Sequence, residues 1–305
     1  AGAFWFSGES KKKYEADIKE IKNDYDKPDC FNVIKKINKF LENKPPSHFK
    51  EEAYLYLGSC YEKRNEIDRA LDIYGLANTL YPDSKFFRES LANIYLNAGF
   101  FEKSLALFSE LAEKTDSSDK IYAGLAKSYA SLGFYEKAED NYAKALEMNG
   151  HEDLDLIKEY SRQLILARHY EKILAIFEKT SDEFKKDEEA QLILSRVWMH
   201  KGEYKKSLVY INAAQKIAPN RRDMALYAVF LNIMITDYDT ALSKINCLTK
   251  NNKKDSLALL ARAIVSLKKG NKKKSSEILR GILKNKTSFV SQIAAAMLKA
   301  RRSQK

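Results

Sequence analysis

The chain has 305 residues, 45% of them hydrophobic and 31% charged, with 53 Lys and Arg against 42 Asp and Glu. That apolar content supports a packed core and argues against disorder, while no run approaches the ~18 apolar residues that a membrane-spanning helix needs. Only 11 Gly and 5 Pro leave few sharp turns, which disfavours a strand-rich sandwich and favours helices with short connections.

Residues 1–14 open with AGAFWF and continue to Lys11-Lys12-Lys13. The small residues Ala1 and Ala3 fit a signal-peptidase product, and aromatics ahead of lysines fit the end of a membrane anchor. Both readings place the chain in the periplasm or at a membrane; a short apolar strap or an expression remnant is the plainer alternative. Residues 15–50 read as a degenerate helix pair, with Ile18, Ile21, Tyr25, Leu41 and Pro46 at regular offsets. Ile34 falls where a small residue belongs and Asn38 where an aromatic belongs, so this pair is expected to pack less well.

From residue 51 onward three series run in phase. Tyr61, Tyr95, Tyr129, Leu164, Trp198 and Asn232 recur every 34 or 35 residues. Ala70, Ser104, Ala138, Ile173, Ser207 and Ala241 form the second series, and Tyr74, Phe108, Tyr142, Phe177, Ile211 and Ile245 the third. Within one copy, Tyr122, Leu125, Ala126 and Tyr129 paint a single helical stripe. Gly133 then supplies a turn that tolerates positive φ, as Gly99, Gly202 and Gly270 do in their copies. Ala138, Tyr142 and Ala145 form a second stripe, so each copy is two antiparallel helices. The small residue allows close approach and the aromatic four residues later fills the gap beside it. Connections carry Pro82 and Pro219, or capping groups such as Asp83-Ser84 and Ser117-Ser118-Asp119.

Copies start near 51, 85, 119, 154, 188, 222 and 256, and the array runs to residue 289. The fourth departs most, because Ile173 replaces the small residue and should hold its helices farther apart. Residues 287–305 read as an amphipathic closing helix with a basic tail, its buried face carrying Phe289, Ile293, Met297 and Ala300. Charge is concentrated at this end. From Lys268 onward 12 Lys and Arg stand against Glu277 alone, while residues 1–267 hold 41 basic and 41 acidic residues. The tail lacks aromatic interleaving, so nucleic acid is disfavoured, and a solvated basic face or an anionic membrane surface is the expected role.

The stretch YLYLGSCYEKRNEIDRALDIYGLANTLYP, residues 54–82, resembles the tetratricopeptide repeat at nearly every signature position, and the resemblance extends over residues 15–289. It implies an all-α fold, a right-handed superhelical solenoid of about seven to eight helix-turn-helix repeats plus a C-terminal capping helix. It also implies a concave inner surface, lined by the first helix of each pair, that takes an extended peptide or a helix. By phase the inner positions run Asn93, Lys127, Lys158, Arg162 and Arg196, then Met199, Leu226, Phe230 and Met234. This ladder is polar, then cationic, then apolar. Lys127, Arg162 and Arg196 suit partner carboxylates and Phe230 suits a hydrophobic anchor; Glu89, Asp155, Glu159 and Glu189 are placed to neutralise the same cations. A subgroup of the family clamps chaperone C-termini with a Lys/Asn set. That role is disfavoured here, because the matching positions carry Leu55, Ser59 and Ser90, and later ones Gly124 or Glu159.

No catalytic constellation emerges. His48, His151, His169 and His200 form no HExxH, and the acids of HEDLD beside His151 sit where a helix should start. GNKKKSSE at Gly270 lacks phosphate-loop spacing. No cofactor or metal is expected. Cys60 and Cys247 are expected as buried thiols, and with Cys30 they are too few and too far apart to suggest a disulfide framework. The expected function is a non-enzymatic scaffold or adaptor that binds an acidic protein segment during assembly of a complex. The alternatives are a structural subunit that self-associates as a homo-oligomer, and an electrostatic tether through the basic C-terminal end.

Overall fold

A computed structural model describes residues 8–26, 30–114, 118–182, 184–284 and 288–302. The AGAFWF segment, Ser117, Lys286 and Lys305 lie outside the described residues. The chain divides into two compact units, Ala1–Gly150 and His151–Lys305. Among the described residues the first unit holds α1 (Gly8–Tyr25), α2 (Cys30–Glu42), α3 (Ser47–Lys63), α4 (Ile67–Leu80), α5 (Lys85–Asn97), α6 (Phe101–Lys114), α7 (Asp119–Ser131) and α8 (Tyr135–Met148). The second holds α9 (Leu154–Leu166), α10 (Tyr170–Lys179), a 3-10 turn (Phe184–Lys186), α11 (Glu188–His200), α12 (Tyr204–Ile217), α13 (Arg222–Met234), α14 (Tyr238–Asn251), α15 (Ser256–Lys268), α16 (Lys272–Ile282) and α17 (Phe289–Arg302). Helices come in successive pairs, each packed on the next within its unit.

The small and aromatic series account for this packing. Every member of both, from Ala70 and Tyr74 to Ala241 and Ile245, is buried. In two of the copies where the small residue is serine its hydroxyl finds a partner across the helix contact, whereas the buried Ser275 Oγ has none among the described residues. Ser104 Oγ lies 3.0 Å from Ser128 Oγ, and Ser207 Oγ lies 2.9 Å from Ser195 Oγ. A polar group can therefore occupy the closest helix approach without a desolvation penalty left open.

The first series closes the turns. Backbone N–H groups of Glu66, Phe100, Phe134, His169, Glu203, Asp237 and Asn271 donate to the carbonyls of Tyr61, Tyr95, Tyr129, Leu164, Trp198, Asn232 and Ser266 at 2.8–2.9 Å. Each of these first helices ends with this six-residue turn bond and a left-handed residue. Glycine takes that place at Gly99, Gly133, Gly202 and Gly270, but Asn65, Arg168 and Thr236 adopt it too, with φ of 59°, 62° and 65°.

Several expectations need correction. In the degenerate first pair the buried stripe is Val33, Ile37 and Phe40, one residue ahead of the phase that pointed to Ile34 and Asn38. The rotated stripe packs with Ile18 and Ile21 of α1 and with Phe49 and Leu57 of α3 in one cluster, so the pair shares its core with the next copy. Cys30 and Cys60 are not free thiols; they form a disulfide between α2 and α3, with Cα atoms 5.3 Å apart. Cys247 is free and exposed rather than buried. On α17 the buried apolar residues are Val290 and Ala294, flanked by Ile293 and Met297, whereas Phe289 is 74% exposed and Ala300 also faces out. The apolar stripe begins one residue later than its most apolar member suggested.

In the fourth copy α9 and α10 approach along less of their length than the three pairs that follow. Ile173 fills the position of closest approach and is fully buried. The helix α10 stops at Lys179, and Phe184 of the 3-10 turn, also fully buried, packs on Phe177 with ring centroids 5.1 Å apart.

Candidate functional site

The first helices of the pairs carry the ladder read from the sequence. In the first unit Asn93 stands on α5 and Lys127 on α7, both half-buried. In the second unit Lys158 and Arg162 stand on α9, Arg196 and Met199 on α11, and Leu226, Phe230 and Met234 on α13.

Within the second unit the cations differ in their partners. Lys158 Nζ donates to Asp187 Oδ2 at 3.2 Å, and Arg162 donates through Nη2 to Glu189 Oε1. Both carboxylates belong to the start of α11. Asp187 is the N-cap there, accepting from the backbone N–H groups of Glu189 and Ala190 at 3.0 Å each. These ion pairs bridge neighbouring repeats, and a partner carboxylate would have to displace them. Arg196 is exposed and has no carboxylate partner among the described residues. Burial pushes the Tyr227 hydroxyl above its ordinary pKa, and the charge of Arg196 opposes that shift.

Apolar side chains continue this face. Leu226 is buried in the cluster that holds α13 to α14 and α15, with Phe230 half-buried against the same cluster. Met199 is half-buried beside Leu192, while Met234 is 54% exposed. The spacing of Arg196 to Met199 and of Phe230 to Met234 keeps each couple on one side of its helix. The closing helix α17 packs on α15 and α16.

Asp187, Glu188 and Arg221 escaped the sequence reading. Glu188 accepts from Arg221 at 2.9 Å, and Arg221 also holds Asp223. The signal that could have found Asp187 is its position before EEA, an acid N-cap followed by acids in the first turn. Gly124 is not an open position on the inner surface: it is buried, and the ring of Phe108 from α6 lies against its α-carbon. In HEDLD, Asp153 caps α9 by accepting from Leu156 N at 3.0 Å. Among the described residues there is no cluster of three or more His, Cys, Asp or Glu that could hold a metal, and no helix long and apolar enough to cross a membrane.

Paired helices, a left-handed turn residue and a buried small/aromatic couple repeated at 34 residues define a tetratricopeptide-repeat fold. Solved structures bear this out. A tetratricopeptide-repeat protein from Cytophaga hutchinsonii superposes with a TM-score of 0.63 at 16% identity, covering 79% of this chain and 98% of that one. One from Parabacteroides merdae gives 0.56 at 16% identity, covering 82% and 97%. In sequence, the chain is similar to lipopolysaccharide assembly protein B of Escherichia coli K12, 23% identical over 181 residues, which are 57% of this chain and 46% of that protein. The match spans less than half the length of that relative. No family model matches the chain.

Proposed function

We propose that this chain is a non-enzymatic scaffold that holds an acidic extended or helical segment of a protein partner on the first-helix face of its second unit. One observation carries the reading: Arg196 offers an exposed guanidinium that no carboxylate of the chain neutralises among the described residues, on the same helix side as Met199, while α13 of the following repeat carries the half-buried Phe230 and the exposed Met234. An arginine there recognises a carboxylate through two parallel bonds, and the neighbouring apolar side chains supply a hydrophobic anchor. Lys158 and Arg162 then serve mainly to join repeats. The similarity to a protein named for lipopolysaccharide assembly supports work in assembling a complex at the cell envelope.

Photo-crosslinking in cells tests this. A photoreactive phenylalanine analogue at Phe230 or Met234 is expected to capture a discrete partner, while the same analogue at the exposed Val209 of α12 captures none. Arg196→Glu should abolish the adducts. Equal capture at Val209, or adducts indifferent to Arg196→Glu, would move the working surface elsewhere. Adducts to a second copy of the chain would favour the self-associating subunit.

A further inference from the structure

We infer that the cleft between α14, α15 and α16 binds a phosphate group. It has a volume of about 370 Å³, and its wall includes three cations, Arg262, Lys269 and Lys274, and no carboxylate. Arg262 is half-buried and donates through Nη2 to Asn246 Oδ1 and Thr249 Oγ1, both at 2.8 Å and both neutral. Its Nε is buried and has no acceptor among the described residues. A guanidinium drawn into a wall by neutral acceptors alone leaves its charge uncompensated. Lys269 shares its charge with Asp239 at 2.6 Å, but Asp239 is almost fully exposed and lies outside the cleft lining. Lys274 has no carboxylate partner among the described residues.

The helix that closes the cleft repeats the imbalance. The helices α4, α6, α8, α10 and α14 each carry an acid in the first turn, at Asp68, Glu102, Glu136, Glu171 and Asp239, and of the second helices from α4 to α14 only α12 has none. In α16 that turn is Lys272-Lys273-Lys274, like charges against the positive end of the helix dipole. A bound anion would offset this as well as the charge of Arg262. A tetrahedral phosphate suits the site better than a planar carboxylate, because its oxygens can meet donors arriving from α15 and α16 at once. Lys268, Lys272 and Lys273 around the mouth raise the local potential for any anion. The phosphate could belong to a small soluble molecule or to a lipid headgroup. This site is separate from the Arg196 face, so either can stand without the other.

The test compares two doubly substituted chains of equal charge: Arg262→Gln with Lys274→Gln in the cleft, and Lys272→Gln with Lys273→Gln beside it. Two probes are used. Inorganic phosphate is titrated with chloride holding ionic strength constant, and vesicles of phosphatidylglycerol in phosphatidylcholine are co-sedimented. A site predicts at least a roughly tenfold loss in the cleft variant and less than about a threefold loss in the neighbouring one. Loss seen with inorganic phosphate assigns a soluble ligand, and loss seen with vesicles alone assigns a headgroup. Equal weakening of both variants, or no binding of either probe by the native chain, overturns the proposal. If circular dichroism shows that Arg262→Gln disturbs the fold, Lys274→Gln against Lys272→Gln carries the same comparison.

Discussion

Asp255 accepts two hydrogen bonds from Arg222, from Nε to Oδ2 and from Nη2 to Oδ1, both at 2.7 Å, while its Oδ1 also caps α15 through Ala258 N at 3.1 Å. One carboxylate, 1% exposed, thus starts a helix and ties it to the repeat before. Comparable ties recur at about one repeat's spacing, from Tyr81 OH to the Ser47 carbonyl at 3.0 Å and from Arg221 to Glu188. Neighbouring repeats are joined by polar bonds at their edges as well as by the apolar contact between them.

The Arg222 bonds hold the Asp255 carboxyl below the ordinary aspartate pKa. The folded value lies below the unfolded one of about 3.9, so its stabilisation is complete above that pH and fades as pH falls through the folded value. Asp255→Asn keeps a cap but loses the charged pair, and should cost about 2 kcal/mol at neutral pH. Denaturant unfolding should show the deficit shrinking below about pH 4; a deficit of equal size at both pH values would mean the pair contributes nothing.

A Cβ at Gly124 would lie 2.3 Å from the ring of Phe108, and one at Gly58 2.3 Å from the ring of Tyr74. Gly124→Ala should therefore destabilise the first unit by about 1–2 kcal/mol, overpacking outweighing the better helix propensity of alanine. Adding Phe108→Leu should recover part of that loss. Additive losses in the double variant would show that the ring is not the cause.

Thr236 holds a left-handed conformation that four of its counterparts fill with glycine. A β-branched residue is strained there, so Thr236→Gly should stabilise the second unit by about 1 kcal/mol. The reverse change, Gly202→Thr, should destabilise it by at least as much. Thermal unfolding of the two variants checks both signs.

The Cys30–Cys60 bond closes a loop with a sequence separation of 30 between α2 and α3. Breaking it should cost about 3 kcal/mol, felt in the first unit. Hydrogen exchange with and without reductant should show faster exchange in α2 and α3 and no change in α13 to α16. Full alkylation of Cys30 and Cys60 in the folded chain without reductant would contradict the pairing.

The repeating core was legible in the sequence because each repeat buries the same positions: Ala138 and Tyr142 need the same neighbours as Ser207 and Ile211. Register failed where the phase breaks. In α2 Val33 and Ile37 turn inward where Ile34 and Asn38 were expected, and on α17 the exposed Phe289 drew the stripe one residue early. Pairing was invisible for a different reason. Cys30 and Cys60, and Lys158 and Asp187, are distant in sequence, and their contacts depend on how successive helices stack; Glu189, read by phase as placed to neutralise the cations, does hold Arg162. The cleft at Arg262 was hidden likewise, since its lysines read as part of a uniformly basic tail.

The most direct measurement is the affinity of the partner captured at Phe230 for chains carrying Arg196→Gln or Arg162→Gln. The account predicts that Arg196→Gln weakens binding by about tenfold, the loss of one charge-assisted pair, while Arg162→Gln, whose guanidinium is already held by Glu189, changes it by less than about threefold. A larger loss at Arg162 than at Arg196, or no loss at either, would contradict recognition through the unpaired arginine.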